Sequence, residues 1–129
     1  MPWDVKYVAD MCTVEVSGAG KLSLQDALSL IERAAVLVNE KGATRVLSDY
    51  SDAVADVAIV DIHGLPEYQD TFGAPKGIKI ALVLPRTGFK EEDFRFYETA
   101  CRNRGYDCKG FKSREAAVNW LGVGKPDVP

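Results

Sequence analysis

The chain has 129 residues, 47% of them hydrophobic and 27% charged, which is the size and make-up of one globular domain that buries a core without metal or disulfide support. A net charge of −3 speaks against nucleic acid as a partner, because that binding rests on clustered Lys and Arg. No apolar run approaches the roughly 20 residues a bilayer-spanning helix needs, so no integral membrane segment is expected.

Met-Pro-Trp-Asp-Val-Lys at the start lacks the basic-then-apolar order of a signal peptide. Cys12, Cys101 and Cys108 are odd in number and irregularly spaced, which suits a reducing compartment and argues against a disulfide framework. No pair has zinc-site spacing. The expectation is a cytoplasmic protein with no metal and no cofactor.

Trp3–Val8 and Met11–Val16 both alternate apolar and polar residues, with Ala9-Asp10 between them, and read as an antiparallel hairpin at a sheet edge. Ser17-Gly18-Ala19-Gly20 reads as a loop by composition. Ser23 is a good helix N-cap, with Asp26 three residues on as a capping-box partner. Behind it Leu24, Ala27, Leu28, Ile31, Ala35 and Val38 recur at three- and four-residue steps, and Gly42 supplies a left-handed stop.

Arg45–Tyr50 follows as a short buried strand, expected at the middle of the sheet and running into a polar loop at Asp49–Asp52. Ala53–Phe72 is rich in β-branched residues, yet Ala58, Ile62, Leu65 and Phe72 share one helical face, so a helix is expected, interrupted or kinked near Gly64 and Pro66. Ile78–Leu84 is a near-continuous apolar run, as a strand covered on both faces would be. Glu91, Glu92 and Asp93 load the start of the next helix, whose dipole favours negative charge there; Phe94, Tyr97 and Cys101 line its inner side, and Gly105 closes it. Tyr106–Phe111 is a last strand, and Ser113 caps a last helix with Ala117, Trp120 and Leu121 inward.

The order β-β-α-β-α-β-α-β-α places this chain in the α/β class: a mostly parallel mixed sheet with an antiparallel N-terminal edge hairpin and about four helices. One domain over residues 1–121 is expected, with 122–129 as a flexible C-terminal tail.

Motifs for common chemistries are incomplete. Gly18-Ala-Gly20-Lys21-Leu22-Ser23 has Glu15 where a phosphate loop needs its first Gly, and Leu22 where it needs Ser or Thr. His63 is the single histidine, with no Gly-x-Ser-x-Gly elbow or His-Glu-x-x-His beside it. Asp49 and Asp52 suit turn chemistry as well as acid–base work. What remains is collective: ligands of open α/β sheets sit beyond the carboxyl ends of the strands, where Asp49, Tyr50, Ser51 and Asp52, then Arg86 and Thr87, then Lys112 and Ser113 would gather.

The pattern resembles the SpoIIAA-like branch of the STAS superfamily, which is grouped by fold with the CRAL-TRIO lipid carriers. The residues that carry the resemblance are Arg45-Val-Leu-Ser-Asp49, Val60-Asp-Ile-His-Gly-Leu-Pro66 and Lys79-Ile-Ala-Leu-Val83. Phe96-Tyr-Glu98, Asn103-Arg-Gly105 and, most distinctively, Phe111-Lys-Ser-Arg-Glu-Ala-Ala-Val-Asn-Trp-Leu121 complete it. The resemblance implies a STAS fold over nearly the whole chain. It also implies a relation to anti-sigma-factor antagonists switched by phosphorylation of a Ser at the start of the helix after the central strand, a place that Ser51 would match. The superfamily motif continues there with paired Ser and a Gly, whereas this chain continues with Asp52-Ala-Val-Ala-Asp56.

The function expected from these readings is a non-enzymatic STAS-like module that binds a protein partner around Asp49, Tyr50, Ser51, Asp52, Arg86 and Thr87, with Ser51 as the phosphosite. The alternative is a carrier or sensor of a small apolar or amphipathic, lipid-like ligand, with Ile59, Ile62, Leu65, Tyr68 and Phe72 as its wall. An edge hairpin carrying Trp3 and Tyr7 also points to a homodimer paired across a two-fold axis.

Overall fold

A computed structural model describes residues 3–56, 59–86 and 90–122, without the side chains of 55–63. Strands β1 (Trp3–Val8), β2 (Thr13–Ser23), β3 (Arg45–Asp56), β4 (Lys79–Val83) and β5 (Asp107–Phe111) form one sheet in the order β1-β2-β3-β4-β5. Only β1 runs antiparallel to its neighbour; β2 to β5 are parallel. Helices α1 (Leu24–Lys41), α2 (Ile59–Thr71) and α3 (Glu91–Asn103) connect the parallel strands, and α4 (Arg114–Leu121) follows β5. No helix among the described residues is long and apolar enough to cross a membrane.

Four parallel strands laid down side by side in chain order, with crossovers of one hand, put all three connecting helices on one face. The core divides accordingly. Val14, Val16, Val46, Ile80 and Leu82 of the sheet pack with Leu30 and Val38 of α1, Leu65 of α2 and Cys101 of α3. On the opposite face Leu47, Ala81 and Val83 pack with Ala117 and Leu121 of α4. Residues of β3 therefore alternate between two different interiors: Val46 and Ser48 toward α1, Leu47 and Asp49 toward α4.

The caps form as expected. Ser23 accepts the Asp26 amide at 3.1 Å, Asp26 accepts from the Ser23 amide, and Gly42 takes a left-handed φ of 65°. Ser113 accepts the Ala116 amide at 3.2 Å, starting α4. At the β5 edge, the Glu98 carboxylate accepts the Gly110 amide at 2.7 Å. A Cβ at Gly110 would stand 2.9 Å from that same oxygen, so the edge is closed by a side chain only glycine admits.

Four expectations need correction. Ser17–Gly20 is strand, not loop, because β2 runs on to Ser23 beside β3. Asp49–Asp52 is likewise inside β3, which continues to Asp56. Both stretches read as loop because this ribbon extends past its neighbours: β4 pairs with β3 only as far as Asp49, and Ala19, Gly20, Lys21 and Val54 are exposed, so no burial pattern marks them. For the same reason the helix expected from Ala53 begins at Ile59. It then runs unbroken through Pro66, which removes a single backbone bond and is itself fully buried. Trp3 lies on the edge strand β1, as expected, and its side chain is 4% exposed and edge-to-face on Tyr50 at 6.0 Å. Of the C-terminal tail, all but Gly122 lies outside the described residues.

At the opposite end from the bulk of this ribbon, Asp70 of α2 ties three elements together. Its carboxylate accepts Lys76, the Tyr106 hydroxyl and, at 2.7 Å, Arg104. The Lys76 bond, then those from Tyr106 and Arg104, hold the Asp70 carboxyl far below the usual carboxylate range. A carboxyl depressed on folding contributes stability that is complete above its unfolded pKa, about 3.9, and is lost as pH falls through the folded value. Asp70→Asn should therefore be less stable than the wild type at pH 7, with the difference narrowing below about pH 4, as read from urea melts across that range. Gly42→Ala, which forces a Cβ into the left-handed region, should cost about 1 kcal/mol in the same assay.

Candidate functional site

The parallel register of β2 and β3 slips once. Ser17 lies opposite Asp49, and the next pair is Ala19 opposite Asp52, so β3 carries one residue more than β2 between them. This bulge holds Tyr50 and Ser51. Bulges release a residue from the ladder and re-aim its side chain, and here the released groups find a local partner. Asp49 Oδ1 accepts both the Ser51 amide at 3.0 Å and the Ser51 hydroxyl at 2.6 Å. That is Asx-turn chemistry inside a strand.

The other oxygen of Asp49 faces α4. Arg114, the first residue of that helix, donates to Asp49 Oδ2 at 3.3 Å and pairs with Glu15 Oε1 of β2 at 2.8 Å. Glu15 is 8% exposed, so Arg114 neutralises a carboxylate that would otherwise be buried alone. Burial pushes the Asp49 carboxyl up, but the Ser51 hydroxyl and amide and the Arg114 guanidinium outweigh it, and the group sits below its ordinary value. A carboxylate so stabilised is a poor general base, which needs a pKa near the working pH.

Beyond Asp49 the β3–β4 ladder ends. Arg86, past the end of β4, donates its backbone amide to Ser51 O at 3.4 Å and its guanidinium to Asp52 Oδ1 at 3.1 Å. Both members of that ion pair are well exposed, so it adds little stability and leaves two charges at the surface. Lys112 lies close by, lining an open depression with Leu84, Pro85, Arg86 and Glu91.

Thus Asp49, Ser51, Asp52 and Arg86 come together as expected from their positions. Tyr50 does not join them: it points to the helix-covered face, where burial pushes its hydroxyl up to about 12 against the opposing hydrogen bond of Ser48. Thr87 lies outside the described residues, as do the side chains of Ile59, Ile62 and His63. Of the remaining apolar wall, Leu65 is core, and Tyr68 and Phe72 stack on each other with ring centres 6.2 Å apart, Tyr68 being exposed. Sequence reasoning missed Glu15 and Arg114. A signal for Arg114 existed: a cation in the first turn of a helix opposes the dipole, which marks it as held by something else.

Neither a protein-family model nor a curated protein matches the chain. Among solved structures, that of the anti-sigma factor antagonist SpoIIAA in its unphosphorylated form is similar, with a TM-score of 0.50 and 12% identity over 92% of this chain and 96% of that one. The Bacillus cell fate determinant SpoIIAA in its phosphorylated form gives a TM-score of 0.49 and 8% identity, over 92% and 98% of the two chains. The fold is a SpoIIAA-like STAS fold. Identity this low speaks to fold alone. Within that fold the bulge, the Asp49–Ser51 pair and the Arg114 bridge are described from this chain's own residues.

Arg114→Met should leave Glu15 and Asp49 without their cation and lower stability by about 1–3 kcal/mol at pH 7. Arg86→Ala, which removes an exposed pair, should change stability by less than about 1 kcal/mol. Urea unfolding of the two variants side by side checks the contrast.

Proposed function

We propose that this chain is a non-enzymatic, regulatory binding module that engages a protein partner through the bulged end of β3, acting in the cytoplasm. The observation that carries the reading is the Ser51 hydroxyl, half-buried and held by Asp49 at the point where the β3–β4 ladder stops. A carboxylate fixed by Arg114 and kept ionised suits a surface that keeps one shape and charge, and the similar unphosphorylated SpoIIAA structure is of an anti-sigma factor antagonist. That likeness supports a protein partner.

Ser51 is the natural switch within such a surface. A phosphate there adds up to two negative charges and three acceptor oxygens. It would displace the hydroxyl from Asp49, meet repulsion from Asp49 and Asp52, and draw on Arg86. A change of partner affinity follows from that local rearrangement. The ligand-carrying alternative, with Ile59, Ile62, Leu65, Tyr68 and Phe72 as wall, has less behind it, because Leu65 is core and Tyr68 with Phe72 pair with each other.

The test is affinity capture from cells that make the protein, with wild type, Ser51→Ala and Ser51→Asp as baits and quantitative mass spectrometry as readout. A polypeptide held by wild type and Ser51→Ala and reduced at least tenfold on Ser51→Asp is the expected outcome, tenfold being about 1.4 kcal/mol. Equal capture by all three would remove the switch. Loss of no protein on disrupting Asp52 and Arg86 together would remove the surface.

A further inference from the structure

Between α1 and the helix-covered face of β3 and β4 lies a cavity of about 50 Å³. It exists because α1 turns Ala34 and Ala35 toward Ser48, small residues on both sides leaving space that larger ones would fill. Most of its wall is aliphatic. Among the described residues its polar groups are the hydroxyls of Ser48, Tyr50 and Tyr97 and the carboxamide of Gln69, and none of them is charged.

Gln69 is the feature that calls for an occupant. It is 5% exposed, its Nε2 donates to the Tyr97 hydroxyl at 2.9 Å and to Cys101 Sγ at 3.6 Å, and its Oε1 has no partner. Turning the amide over does not cure this. Oε1 would then accept the Tyr97 hydroxyl, and the NH2 would stand in the unpartnered place instead. One polar atom of a buried amide is unpaired either way, and folded proteins pair such atoms almost without exception.

We infer that this cavity is a binding site for a small neutral alcohol: a hydroxyl paired with the Gln69 amide and a short apolar body against the α1 alanines. A hydroxyl both donates and accepts, so it suits either orientation of the amide. The described wall residues offer no counter-ion for a desolvated charge, which selects against a carboxylate or ammonium. The volume is about a third of the roughly 150 Å³ cavity known to take benzene, which limits the body to a few carbons. The half-buried Ile31, Ala34 and Ala74 on its outer side give a way in from solvent. Only Tyr50 is shared with the β3 bulge, and the inference does not depend on a protein partner binding there.

The experiment is an amide-resolved NMR titration of the whole chain with 1-butanol, with sodium butyrate as the charged control. Ligands of this size bind weakly, so a dissociation constant in the millimolar range is expected. The proposal requires saturable shifts at the Gln69 side-chain amide and at Ala34, Ser48 and Tyr97, with none from butyrate. Gln69→Leu, which deletes the anchor, should weaken binding at least tenfold, and Ala34→Leu, which fills the space while keeping the anchor, should abolish it. If either variant loses its dispersed spectrum, the other still decides. Shifts that grow linearly without saturation would mean that the cavity holds water alone, and unchanged affinity in a folded Gln69→Leu would mean that the amide is not the anchor; both overturn the proposal.

Discussion

The structure depends on the position of β3 between β2 and β4. Parallel pairing on both sides removes its backbone polar groups from water, and the same-handed crossovers through α1 and α2 assign its two faces to two different interiors. Every site described above is a consequence. Even-numbered residues before the bulge look toward α1 and build the cavity; Leu47 and Asp49 look toward α4, where Leu47 packs on Ala117 and Leu121 and Asp49 accepts Arg114. A single strand thus joins a neutral, partly polar interior to a charged surface network about one residue away.

The bulge at Tyr50–Ser51 is where these two worlds change over. One additional residue in β3 frees the Ser51 amide from the ladder, and Asp49 accepts both that amide and the Ser51 hydroxyl. Because Arg114 holds the second oxygen of Asp49, the conformation at Ser51 is tied to the start of α4 and, through Glu15, to β2. A charge placed on Ser51 therefore acts on groups contributed by three elements. That coupling is local electrostatics and needs no movement of the sheet.

Charge is used differently at the two ends of the molecule. Asp70 gathers Lys76, Arg104 and Tyr106 at the end of the sheet where β4 and β5 begin, several bonds converging on one partly exposed carboxylate. At the other end Asp52 and Arg86 form an exposed ion pair that adds little stability. The first arrangement stabilises the fold, and the second leaves charge at the surface.

Element order, the Ser23 and Ser113 caps, the Gly42 stop and the α/β class could be read from the chain alone, because each rests on local periodicity or on one residue's backbone preference. The grouping of Asp49, Ser51, Asp52 and Arg86 was also legible, since strand ends of a parallel sheet share an edge. The length of β2 and β3 was not, because a two-stranded ribbon projecting past its neighbours buries too little to leave an alternating pattern. Nor were the Glu15–Arg114 bridge, the inward turn of Tyr50 or the unpaired Gln69 amide. Those are contacts between residues tens of positions apart, decided by which faces the crossovers bring together and by how much space small side chains leave between them.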